Sequence, residues 1–175
     1  MSESYEVLVL MPEGLPSTEV VNGTHEVIGQ MGGTIDEDCL LILHDTETER
    51  PDIEYISNPQ IALTTLANWP ALGGLNYAMP DGLITVEFAG TFEANIVQAI
   101  RITIPDAIIF DEEGEESKER YVTLGKRLHE RFRAKRTIVD WGLFYMGIYW
   151  KEEINRLKNG EFVGQYFIDL RTTEA

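Results

Sequence analysis

Cysteine occurs once, at position 39, so the chain cannot close an internal disulfide and suits a reducing compartment. Bases are almost missing from the first 100 residues, where Arg50 stands alone against 16 acids for a net charge of −15. Duplex nucleic acids and anionic bilayers attract Lys and Arg and repel such a surface, so neither is expected as a partner. No apolar run approaches the roughly 18 residues needed to span a bilayer. Met1-Ser2-Glu3-Ser4 carries neither a basic n-region nor a small-residue cleavage site, so nothing marks export and a cytoplasmic location is expected.

The common catalytic and nucleotide signatures are also missing. The sequence holds no Gly-x-x-x-x-Gly-Lys-[Ser/Thr], no Gly-x-Gly-x-x-Gly and no Gly-x-Ser-x-Gly. His25, His44 and His129 share no metal-ligand spacing, and neither His-Glu-x-x-His nor Cys-x-x-Cys occurs. The acidic clusters at 36–38 and 45–49 lack the glycine and terminal glutamate of a calcium loop. His44 at the end of an apolar run is the best general-base candidate, but a lone strand-end histidine is ordinarily a satisfied surface residue. Cys39 beside Leu40–Leu43 reads as an inert thiol. No cofactor or metal is expected, and the balance leans away from an enzyme.

What is present is a chain of 175 residues, 43% hydrophobic and 10% aromatic, long enough for one domain over 1–175 with a sizeable core. Tyr5–Met11 alternates apolar residues on both faces, as a strand covered on both sides does, until Pro12, Gly14 and Pro16 interrupt it. Residues 17–33 fit either a hairpin at Asn22-Gly23 or a short helix capped by Thr24 and stopped at Gly32-Gly33. Cys39–His44 is a second strand, followed by a polar segment over 45–52. Asn58-Pro59 opens a helix to about Trp69. Leu75–Met79, Pro80-Asp81-Gly82 and Leu83–Ala89 form a hairpin, which Ile96–Ile104 extends to a meander. Helices are predicted over 115–132 and 138–158, and a last strand over 162–170. The sum is an α+β fold with a mixed or antiparallel sheet of about five to six strands and helices packed mainly on one face.

Two constellations could carry function. Between Lys118 and Arg136 eight bases face two acids, a net of +6 in an otherwise acidic chain. Arg120, Arg127 and Arg131 gather on one flank of the predicted 115–132 helix, making an anion-binding candidate for phosphate, nucleotide or carboxylate. The same pattern also complements a helix dipole and makes ordinary ion pairs. On the predicted 138–158 helix, Val139, Leu143, Met146, Trp150, Ile154 and Leu157 form one core stripe. Trp141, Phe144, Tyr145 and Ile148 form a second apolar face, covered by the domain itself, by a protein partner or by a second copy in a homodimer.

In composition, and in that alone, the chain is similar to small acidic bacterial inhibitor or immunity proteins, which cover the basic site of a toxin or nuclease. That similarity implies a non-enzymatic protein-interaction domain whose partner presents a basic surface. The alternative is a small anion- or nucleotide-binding domain or enzyme built on the arginine flank.

Overall fold

The computed structural model describes residues 4–37, 40–44, 51–56, 58–69, 73–91, 95–110, 112, 114–143, 150–161 and 167–172. In chain order the elements are β1 (Tyr5–Pro16), α1 (Ser17–Gln30), β2 (Thr34–Ile35), β3 (Leu40–His44), β4 (Pro51–Tyr55), α2 (Pro59–Ala67), β5 (Gly73–Met79), β6 (Gly82–Thr91), β7 (Ile96–Ile104), α3 (Asp106–Ile109), α4 (Gly114–Phe132), β8 (Arg136–Trp141), α5 (Trp150–Lys158) and β9 (Ile168–Arg171). The strands form one antiparallel sheet in the order β4-β3-β5-β6-β7-β1-β8-β9, with β2 pairing β5 beside this path.

The α+β class and the helix-rich face agree with the sequence, but among the described residues the sheet has nine strands where five or six are expected. β2 is two residues long and leaves no periodic trace. β4 begins where the polar segment over 45–52 ends and runs through residues to which the sequence assigns no element. The third addition, β8, overturns the predicted 138–158 helix: Arg136–Trp141 pairs with β1 from Tyr5↔Trp141 to Leu10↔Arg136. Thr137-Ile138-Val139 is a β-branched run that suits a pleated surface, and β1 offers a free ladder edge beside it. Only Trp150–Lys158 is helical within the described residues of that segment.

β1 sits near the centre of the sheet, between β7 and β8. Its Tyr5, Val7, Val9 and Met11 join the larger core, under α1, α2, α3 and α4. Leu8 and Leu10 point to the opposite face and pack with Ala99, Ile138, Ile154 and Leu157 under α5. The supposed single stripe is therefore divided: Val139 belongs to one core, and Ile154 and Leu157 to the other. A period of 2 through β8 explains why Val139 and Ile138 part company.

Residues 17–30 are helix, not hairpin, and the helix begins at Ser17, well before Thr24. Asn22-Gly23 is a packing site and not a turn: a Cβ on Gly23 would lie 2.8 Å from Cζ of Phe132 on α4. β1 continues past Pro12 to Pro16 through a register shift between Leu10 and Leu15, with Gly14 at φ +76°. The Asn58 cap forms as expected, its Oδ1 accepting from the Gln60 and Ile61 amides at 2.9 and 3.3 Å. The α4 stripe of Tyr121, Leu124, Leu128 and Phe132 is buried as expected.

Candidate functional site

At the end of the sheet where β1 begins and β8 ends, three aromatic rings meet. Tyr5 meets Trp141 edge-on at 5.2 Å with 63° between planes. Phe110 stacks on Trp141 at 5.2 Å and 14°. Tyr5 is buried, but Phe110 is 74% exposed, a large apolar face left open to solvent. The local chain explains why it stands out. Phe110 ends α3, and a Cβ at Gly114 would lie 1.9 Å from the Ile109 carbonyl oxygen. Only glycine permits so close an approach of the backbone, which holds the start of α4 against the end of α3 beside Phe110.

Two carboxylates, Asp140 and Glu115, act on the Tyr5 phenol, Asp140 from the sheet face that also carries Glu6. Asp140 is held on both oxygens, Oδ1 accepting from the Trp141 amide at 2.7 Å and Oδ2 from the Phe167 amide at 3.0 Å. It has no basic partner among the described residues. Phe167 itself is 67% exposed. Glu115 and Glu116 occupy the first turn of α4. Burial, helped by the charges of Asp140 and Glu115, pushes the Tyr5 phenol up to about 12, and its hydroxyl has no hydrogen-bond partner among the described residues. From Asp106 to Glu119 the sequence holds seven acids and one base, Lys118.

Of the predicted interface residues, Trp141 is thus at this site, on a strand and not a helix. Phe144, Tyr145 and Ile148 lie outside the described residues, as do Cys39 and the side chain of His44. The homodimer expectation rested on the second face of a 138–158 helix, an arrangement that β8 replaces.

The three candidate arginines do not converge on an open pocket. Arg120 Nη1 lies 2.5 Å from Oδ2 of Asp81, in the β5–β6 turn. Asp81 also accepts from the Tyr121 hydroxyl at 2.6 Å. Burial works against the Asp81 charge, but hydrogen bonds from Tyr121 and Ser117 and the Arg120 charge together hold its carboxyl below the ordinary value. Arg131 Nη2 lies 3.1 Å from Oε2 of Glu26 on α1. Arg127 is exposed on α4.

The opposite face carries a polar network that sequence reasoning missed. Glu6, 2% exposed on β1, accepts from Arg101 Nε at 2.7 Å and from the Leu143 amide at 2.6 Å. Arg101 also lies 3.8 Å from Glu87, whose carboxyl burial pushes up against the pull of Arg101. A charge within Tyr5–Met11 and another between Ile100 and Ile102 were the available signals. Likewise Phe110, directly followed by acids, is the signal for the aromatic corner. Among the described residues no group of three or more His, Cys, Asp or Glu could hold a metal ion. No described helix is long and apolar enough to cross a membrane.

No family model matches the chain, and no curated protein matches it. A solved structure of the Pseudomonas aeruginosa T6SS protein PA0821 is similar over 86% of this chain, at 8% identity and a TM-score of 0.45. The similarity covers 44% of that protein, so the chain spans less than half its length.

Proposed function

We propose that this protein is a non-enzymatic interaction module that binds a basic protein surface through the end of the sheet that presents Phe110, Trp141 and Phe167. The observation that carries the reading is Phe110, 74% exposed while stacked on Trp141. Aromatic rings are enriched among binding hot spots, and an apolar face this open is otherwise a solvation cost. The acids from Asp106 to Glu119, together with the net −15 of residues 1–100, favour a cationic partner and speed the encounter at low salt. The anion-site alternative on Arg120, Arg127 and Arg131 is the weaker reading, since two of these guanidiniums already face carboxylates of the same chain.

The test is site-specific photo-crosslinking in the native cell, with a benzophenone amino acid at position 110, at 167, or at the exposed Ile61 on α2 as control. The expected result is one protein adduct shared by positions 110 and 167, absent at 61, with a basic surface, and weakened by 0.5 M salt. Equal labelling at all three positions, or an acidic adduct insensitive to salt, would overturn the reading.

A further inference from the structure

We propose that β9 is the seat of a two-fold homodimer, pairing with β9 of a second copy so that one sheet runs through both chains. β9 ends the strand order, and among the described residues no strand pairs with its outer side. Its backbone faces outward at defined positions. Thr172 donates its amide to the Lys135 carbonyl at 3.0 Å, and Leu170 and Ile168 lie opposite Thr137 and Val139. Bonding alternates along an antiparallel ladder. Residues 168, 170 and 172 therefore bond inward to β8, while the amides and carbonyls of Asp169 and Arg171 point away from the sheet. An edge with free donors and acceptors is a template for another strand.

The side chains select both the partner and the register. A two-fold axis beside Leu170 sets Asp169 of each copy directly opposite Arg171 of the other, and both residues are the outward-bonding kind. Moving the axis to residue 169 or 171 would instead oppose Asp169 to Asp169 or Arg171 to Arg171, and like charges directly opposite are destabilising. The order Asp169-Leu170-Arg171 is thus complementary to itself in one register, and a self-complementary patch closes as a dimer. Arg171 is exposed and lies 3.1 Å from Asp169 of its own chain, while Arg136 holds Asp169 at 2.8 Å, so the carboxylate is fixed and the outer guanidinium is available. Half-buried Leu170 would meet Leu170 of the second copy on the α4 side, where Thr137 bonds His129. Each chain carries −16, most of it in residues 1–100. β1, the nearest strand of that stretch, stands two strands in from the edge, about 10 Å at the usual spacing, a distance over which physiological salt screens charge.

Sedimentation velocity of the full chain, from micromolar to millimolar concentration, should show a reversible monomer–dimer equilibrium. Arg171→Pro removes an outward amide without breaking a bond to β8, and should raise the dimer dissociation constant at least about tenfold. Arg171→Glu should act likewise by facing Asp169 with a like charge, whereas Arg171→Lys should keep the dimer. Arg127→Glu, the same charge change at an exposed position on α4, should leave association unchanged, with circular dichroism confirming that each variant folds. Cysteine pairing in a Cys39→Ser background reads the register. Leu170 would face its copy at a non-hydrogen-bonded position, with Cα atoms about 4.5 Å apart and within disulfide reach. Leu170→Cys should therefore form a disulfide dimer under copper-phenanthroline, and Arg171→Cys should not. A wild-type chain that stays monomeric throughout, a dimer indifferent to both Arg171→Pro and Arg171→Glu, or equal crosslinking at 170 and 171 overturns the proposal. None of these outcomes bears on the Phe110 corner, which photo-crosslinking at position 110 decides separately.

Discussion

Arg136 and Asp169 face each other across β8 and β9 as a bidentate pair, Nε to Oδ1 and Nη2 to Oδ2, both at 2.8 Å. Arg136 is 1% exposed, and its remaining Nη1 donates to the Leu157 and Glu161 carbonyls at 2.9 and 2.6 Å. One guanidinium thus ties the last strand to the end of α5, where a cation complements the carbonyl end of the helix. Removing Arg136 leaves Asp169 with only the Arg171 contact at 3.1 Å, so Arg136→Ala should cost about 3 kcal/mol in urea denaturation. Replacing both residues, as Arg136→Met with Asp169→Leu, should recover part of that loss. The Glu161 carbonyl loses its guanidinium donor and the Leu157 carbonyl keeps only the Gly160 amide at 3.1 Å, so the recovery is incomplete. A single-mutant loss below about 1 kcal/mol would remove this account.

Gly23 marks a close approach of α1 to α4. A Cβ there would meet Phe132 Cζ at 2.8 Å and Cε1 at 2.9 Å, too close for the ring to stay where it is. Helix propensity alone predicts that Gly23→Ala stabilises by about 1 kcal/mol. Packing predicts the opposite, a loss of about 1–3 kcal/mol from overfilling the contact. Packing should win, because Phe132 is itself wedged in the core at 5% exposure. Phe132→Leu in the Gly23→Ala background should then cost less than Phe132→Leu alone, a coupling that a double-mutant cycle measures.

The legible parts of this fold are those where local chemistry and tertiary contact agree. Asn58-Pro59 starts a helix, and the turn at Pro80-Asp81-Gly82 joins two alternating strands, with no help needed from afar. Asn22-Gly23 misleads because the glycine answers to Phe132, 109 positions away, and not to its neighbours. Residues 138–158 mislead for a related reason. Val139, Ile154 and Leu157 fall at helical spacing, yet they are drawn into separate cores on opposite faces of the sheet. The aromatic corner was half visible: Trp141 stands out in the sequence, but its partners Tyr5 and Phe110 are distant in the chain.

The protein should lose stability as pH falls below neutrality, well above the range where carboxylates titrate. His129 sits between Thr137 and Thr172, at 2.8 and 2.9 Å, and Thr172 donates onward to the Ala134 carbonyl. Thr172 therefore accepts from Nε2–H, while Nδ1 is free to accept from Thr137, the pattern of a neutral ring. Burial holds the His129 pKa below its ordinary 6.5, against a smaller pull from Glu130, and burial lowers His25 likewise. With the folded pKa below the unfolded one, the unfolded chain binds more protons near pH 6.5. Stability is thus full above that value and falls as pH drops through it towards the folded pKa. Chemical denaturation at pH 7.5 and 5.5 should show the loss, and His129→Gln with His25→Gln should flatten it. An unchanged slope in the double variant would assign the effect elsewhere, with Glu87, whose raised pKa favours folding at lower pH, acting in the opposite sense.

Lys158 offers an experiment of the same sign at alkaline pH. Its ammonium donates to Gln98 Oε1 at 2.6 Å, and burial, with Lys135 nearby, lowers its pKa from 10.5 to about 8. An amide oxygen is a poor substitute for a carboxylate, so the charge is hydrogen-bonded without being neutralised. Between about pH 8 and 10.5 the folded chain holds fewer protons at this site than the unfolded one, so the penalty at Lys158 is relieved as pH rises through that window. A titration of 13C-labelled lysine by NMR should give Lys158 a midpoint near 8, set apart from the ordinary lysine value of about 10.4. Lys135→Gln should move that midpoint upward by removing a repulsive charge. Gln98→Leu should move it further down, because the protonated form loses its acceptor. A Lys158 midpoint at the ordinary lysine value of about 10.4 would show that water reaches the amine freely at the end of α5, and the burial account of this residue would fall with it.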